Sequence, residues 1–174
     1  MSFLSWLKQA INTDKIERDH EYFGKITLTS GTNIHGATYE FWSAPDRPTP
    51  ICPKPITIII RTGIEGPNEE HKLRLEKLFE KFPTLQDAIR LAQFKEWNSY
   101  KSELIKHGDL MTDAGRFDNP ETMDSLFELG SVEISKHGGY ELGYTFRGDA
   151  DCADLQIYFA VDTSWHVFYS GAAD

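Results

Sequence analysis

With 174 residues and 13% aromatic side chains, the chain is long enough to bury one sizeable core and too rich in packing residues to be disordered. No apolar run approaches the length of a bilayer span, so no membrane association is expected. The formal net charge of −9 is unevenly placed: residues 1–108 hold 14 acids and 15 bases, and residues 109–174 hold 13 acids against Arg116, Lys136 and Arg147. The last third therefore sums to −10, which disfavours a phosphate backbone and excludes nucleic acid as its expected partner.

Met1–Lys8 lacks the basic region and the uninterrupted apolar region of a signal peptide. Phe3, Leu4, Leu7 and Ile11 fall at helical spacing, which predicts a short amphipathic helix over 3–13 and a lead-in to residue 20. Tyr22–Thr29 and Ala37–Trp42 alternate apolar and polar residues across the turn-forming Ser30–Asn33, the pattern of an antiparallel hairpin. Ala44–Pro55 holds five of the eight prolines and reads as a stiff extended loop. Pro55–Arg61 is almost entirely β-branched and reads as an interior strand, Ile56–Ile60 at its centre, covered on both faces.

Two helices should follow. Asn68–Phe82 begins with Glu69 and Glu70, acids suited to a helix start, and Pro83 breaks the pattern. Thr84 with Asp87 resembles a capping box opening a second helix to residue 106, whose stripe Leu85, Ala88, Ile89 and Ala92 gives way to a shifted phase at Phe94 and Trp97. A short helix is predicted over Pro120–Leu129, with Asn119 as its cap. The remainder alternates as a meander: Val132 and Ile134, a Gly138-Gly139 hairpin turn, Tyr140–Arg147, Leu155–Val161 and Trp165–Tyr169. The predicted fold is α+β in one domain over 1–174. A mainly antiparallel sheet unites the N-terminal hairpin, the central Ile56–Ile60 strand and the C-terminal meander, and a helical pair covers one face.

Recognisable catalytic parts are scarce. Cys52 and Cys152 form neither a disulfide framework nor a metal spacing and read as free thiols of a reducing, cytoplasmic setting. Six scattered histidines show no metal-binding spacing, and no serine elbow or phosphate loop is present, so no cofactor is implied. Asp149, Asp151 and Asp154 form the most site-like loop. Three close carboxylates can hold a hard cation, but the loop lacks the glycine and the closing glutamate of a calcium hand. Trp42, opposite the Tyr39/Phe41 face of its strand, is the tryptophan expected at the surface, where it would serve as an interface anchor.

Phe23-Gly24-x-Ile26, an aromatic partner strand ending at Trp42, an apolar strand feeding a Glu-rich helix and then a second helix, and a closing Tyr140–Arg147 hairpin followed by Leu155–Asp162 occur together here. In this combination the chain resembles small uncharacterised bacterial domain-of-unknown-function families, some of them similar to immunity proteins of polymorphic-toxin systems. The resemblance implies an α+β fold and transfers no site residue. The leading expectation is a non-catalytic cytoplasmic binding protein whose acidic C-terminal face, built from Asp109, Asp113, Asp118, Asp149, Asp151 and Asp154, neutralises a basic protein partner. The alternatives are a metal-assisted hydrolase using the Asp149–Asp154 loop with His137 or His166, and a structural or assembly component. The sequence leaves the oligomeric state open.

Overall fold

The computed structural model describes residues 12–32, 38–107, 118–146 and 156–173. They form an α+β fold on one eight-stranded sheet: β1 (Asn12–His20), β2 (Gly24–Thr32), β3 (Thr38–Thr49), β4 (Cys52–Ile60), β5 (Phe127–Ile134), β6 (Tyr140–Phe146), β7 (Gln156–Val161) and β8 (Val167–Ala173). Strand order in space equals strand order in the chain. Six pairings are antiparallel, and β4 with β5 is parallel. A parallel pair needs a crossover, and the long helix α1 (Glu69–His107) supplies it. A 3₁₀ turn (Pro120–Thr122) and the four-residue α2 (Met123–Leu126) lead into β5.

Register explains the core. Ile16, Leu28, Trp42, Ile60, Ile134, Tyr140, Val161 and Val167 stand opposite one another in turn, one apolar row across all eight strands. Ala44, Ile58, Val132, Leu142, Phe159 and Tyr169 form the next row. The buried stripe of α1, Leu75, Leu78, Phe82, Leu85, Ile89, Gln93 and Trp97, joins the same packed face, advancing by three or four residues as one side of a helix must. Asn68 caps α1, its Oδ1 accepting from the backbone N–H groups of Glu70 (3.1 Å) and His71 (3.4 Å). Arg74 ties the helix to the β5–β6 turn by donating to the carbonyls of Ser135 (2.8 Å) and Gly139 (3.2 Å). No helix of the described residues is long and apolar enough to cross a membrane.

Several expectations are corrected. The helical pair is one helix: Pro83 lies inside α1 on its exposed side, while the inward stripe passes Phe82 and Leu85 without a change of phase. Burial of that stripe outweighs the loss of one hydrogen bond. Ala88, expected inward, is exposed. The predicted helix over 3–13 lies outside the described residues except for Asn12 and Thr13, which begin β1; the lead-in is thus an edge strand. The proline-rich stretch is a hairpin rather than a loop. β3 and β4 run to Thr49 and from Cys52, with register shifts after Ala44 and Arg47. Its prolines are tolerated because β2 pairing stops at Ser43 and β5 pairing starts at Thr57, so the ribbon protrudes with one side of each strand unladdered among the described residues. In β4 only Ile56, Ile58 and Ile60 are fully buried; Thr57 and Ile59, on the other face, are half-buried. The helix predicted over Pro120–Leu129 ends at Leu126, since Phe127–Leu129 already pair with β6.

Candidate functional site

The face of the sheet opposite α1 carries the polar residues. Glu17, Thr27, Ser43, Ile59, Glu133, Glu141, Ala160 and Phe168 form its row across the eight strands. Two carboxylates, Glu133 and Glu141, thereby face each other directly on β5 and β6, an unfavourable pairing unless compensated. Arg61, the first residue after β4, supplies the compensation. Its Nε and Nη2 donate to the two oxygens of Glu133 at 2.7 and 3.0 Å, a bidentate clamp, and its guanidinium lies 5.5 Å from the Phe41 ring centre. Glu141 accepts from the Ser170 hydroxyl at 3.0 Å. Burial pushes the Glu141 carboxyl above the usual carboxylate range, and the Glu133 charge adds to this; the Ser170 hydrogen bond and Arg61 pull the other way. Tyr158 donates to Gln156 Oε1 at 2.6 Å, and burial, with Glu141 and Glu133 nearby, pushes its hydroxyl up to about 12. Its ring and the Ser131 hydroxyl lie where a side chain at position 143 would project, which is why Gly143 stands there.

Arg61 and Glu133 also form the floor of a groove of about 990 Å³ at the carboxyl ends of β4 and β5. Its walls are Ser30–Thr32 of β2, Thr38–Glu40 of β3, Thr62 and Gly63, and Ser135–His137 of the β5–β6 turn. Crevices outside the carboxyl ends of parallel strands are recurrent binding places, because the chain leaves the sheet there in two directions. Hydroxyl side chains, Glu40, Lys136 and His137 supply its polar groups, and Tyr39, Gly31 and Gly63 are also in its lining.

Four acids of the last third are ion-paired among the described residues. Asp118 meets Lys101 (2.7 Å), Asp124 meets Arg90 (3.1 Å to Nε), Glu128 meets Lys54 (2.7 Å) and Glu133 meets Arg61. Each base comes from residues 1–108, so the charge asymmetry of the sequence is partly the mutual complementarity of the two parts of the fold. Asp162 is occupied in its own turn: the backbone N–H groups of His166 (2.9 Å) and Ser164 (2.8 Å) donate to its Oδ1 and hold its carboxyl below the usual range. His166 meets the other oxygen of Asp162 at 3.3 Å. Among the described residues no group of three His, Cys, Asp or Glu side chains is placed to hold a metal ion.

Of the residues singled out from the sequence, Asp118 is in the structure described and ion-paired. Asp109, Asp113, Asp149, Asp151, Asp154 and Cys152 lie outside the described residues. Trp42 is a correction: it is 0% exposed, its indole N–H donates to the Gly63 carbonyl at 3.0 Å, Arg18 covers its ring at 5.2 Å and Gly66 packs against it. It is a core residue and no interface anchor. The carboxylate pair Glu133/Glu141 was not legible: a two-residue turn at Gly138-Gly139 pairs His137 with Tyr140 and would set Glu133 against Tyr144, whereas the turn closes between Ser135 and Gly139 and sets Ile134 against Tyr140 and Glu133 against Glu141. No known family model, curated protein or solved structure matches the chain.

Proposed function

We propose that this chain is a non-catalytic, cytoplasmic binding protein whose acidic last third engages a basic protein partner, in the manner of an immunity protein that neutralises a basic toxin. The observation that carries the reading is the charge surplus of the last third. Residues 109–174 hold 13 acids against three bases, and four of those acids are matched by cations from residues 1–108 among the described residues. Such a surplus steers and holds a cationic surface through long-range attraction that salt weakens. Asp109, Asp113, Asp149, Asp151 and Asp154 are the residues assigned to the contact, with Asp118 shared between Lys101 and the partner. Affinity capture from a lysate of the source cell, with the parent chain and the Asp149→Lys, Asp151→Lys, Asp154→Lys triple variant run in parallel at low and high salt, tests this. The parent should retain a basic protein at low salt and release it at high salt, and the variant should not retain it. Equal retention by both chains, with the same salt dependence, would sink the assignment.

A further inference from the structure

The sheet ends in two edges of unlike character. An edge strand presents a row of unpaired backbone N–H and C=O groups to any extended chain that reaches it, and charged side chains along it discourage that addition. β1 is guarded in this way: Asp14, Lys15, Glu17, Arg18 and Asp19 put five charged residues among its nine. β8, Val167-Phe168-Tyr169-Ser170-Gly171-Ala172-Ala173, has no charged residue and no proline. It pairs only with β7 among the described residues.

This edge is open as well as uncharged. Phe168 is 51% exposed and Tyr169 43%, and Ser170 is exposed too. A side chain at position 171 would meet nothing within 4 Å. The two aromatics stand on opposite faces of the sheet. Tyr169 belongs to the packed face, its ring centre 6.2 Å from that of Phe159, and Phe168 ends the row of the other face beside Ala160. Beyond Tyr169 the strand is irregular, since its register against β7 shifts between Tyr158 and Phe159. The regular, exposed part is therefore Val167–Tyr169, with Phe168 at its centre.

We propose that β8 pairs with β8 of a second copy of this chain, antiparallel about a two-fold axis at Phe168. Phe168 then faces Phe168 of the partner subunit on one face, and Val167 faces the partner subunit's Tyr169 on the face that α1 covers. Aromatic pairs and aromatic–β-branched pairs are favourable cross-strand combinations. Charge selects this occupant. A two-fold axis sets a strand against itself, so any charge near the axis would meet its equal, and β8 brings none. A basic strand would be drawn to carboxylates, and this edge has none. The pairing also closes. Two eight-stranded sheets join into one, and the edges left outside are the two charged β1 strands, which resist further growth. None of the residues assigned to the basic partner takes part, so the pairing stands or falls separately from that reading.

Sedimentation velocity of the full chain at concentrations up to about 0.1 mM reads the assembly directly. The parent should sediment as a dimer at twice its 19.9 kDa mass. Each copy carries −9, so rising salt should strengthen the dimer, the reverse of its effect on a basic partner. Phe168→Lys and Phe168→Glu each set like charges together across the axis and should run as monomers. The side chain is half exposed, so both variants should keep the parent's far-ultraviolet circular dichroism. An equimolar mixture of the two sets Lys against Glu and should recover the dimer, which a loss of folding could not do. Ile16→Lys, on the β1 edge, should leave the dimer intact. A parent that stays monomeric over the whole range would overturn the proposal, and so would a dimer untouched by Phe168→Lys. Folded variants that lose the dimer and do not regain it on mixing would place the axis elsewhere and overturn it equally.

Discussion

Replacing Trp42 separates a core residue from a surface anchor. The side chain is fully buried, so Trp42→Ala removes a large aromatic from a packed row and leaves a void between β3 and the Gly63–Gly66 turn. Substitutions of this kind cost about 3–5 kcal/mol. Trp42→Phe keeps most of the packing but loses the bond to Gly63 and part of the ring under Arg18. Gly63 is exposed, so water can satisfy its carbonyl, and the hydrogen-bond loss falls near about 1 kcal/mol. With the smaller ring and a weaker cation–π contact, Phe should cost roughly 2 kcal/mol in all. Urea unfolding followed by far-ultraviolet circular dichroism is the suitable assay, since each variant also removes a fluorophore. For a urea slope of roughly 2 kcal/mol per molar, the Ala midpoint should fall by about 2 M and the Phe midpoint by about 1 M, with the slope unchanged. Surface substitutions stay within about 0.5 kcal/mol. An Ala midpoint equal to that of the parent would refute the buried placement and return Trp42 to the surface.

Two further outcomes follow from the geometry. Glu141 has its folded-state pKa raised, chiefly by burial, so the folded protein favours the neutral acid. The corresponding stability is complete below the ordinary glutamate range near about 4.3 and is lost as pH rises through the raised value. Glu141→Gln should therefore raise the melting temperature at neutral pH, and the advantage should close toward pH ~4; an advantage that grows in acid contradicts the assignment. Pro83→Ala restores a helix N–H where the ring makes no buried contact, and should stabilise by about 1–2 kcal/mol once the entropy that proline removes from the unfolded chain is deducted. A lower melting temperature would mean that the helix needs its proline to follow the sheet.

Much of the architecture was legible because burial here follows period. The 2-residue alternation of Tyr140, Leu142 and Tyr144, and of Ile157, Phe159 and Val161, is the packed face of the sheet. Failures occurred where a local rule met a larger tertiary term. Pro83 reads as a breaker only if the stripe on the opposite side of α1 is ignored. Trp42 was placed outside because a single strand's alternation assigns two faces without saying that both are covered, and Tyr39 and Phe41 are buried as well. Candidate sites were less legible. A count of acids does not show which of them meet cations, because Lys54, Arg61, Arg90 and Lys101 lie far from their partners in sequence.

The single parallel pairing has a consequence for how the fold is reached. Strands β1–β4 and β5–β8 are chains of hairpins that form from near neighbours, whereas the paired residues of β4 and β5 stand 74 positions apart. Closing such a loop costs about 4 kcal/mol of chain entropy before any contact rewards it, so the union of the two halves should be the slow, committing step. At that step the halves need a key for alignment. Lys54 with Glu128 precedes the four paired positions at the same 74-residue offset as the ladder itself, and Arg61 just beyond β4 reaches back to Glu133 within them. A slip by one residue would turn the apolar row outward and separate both pairs, so opposite charges held in different halves act as teeth that accept one alignment.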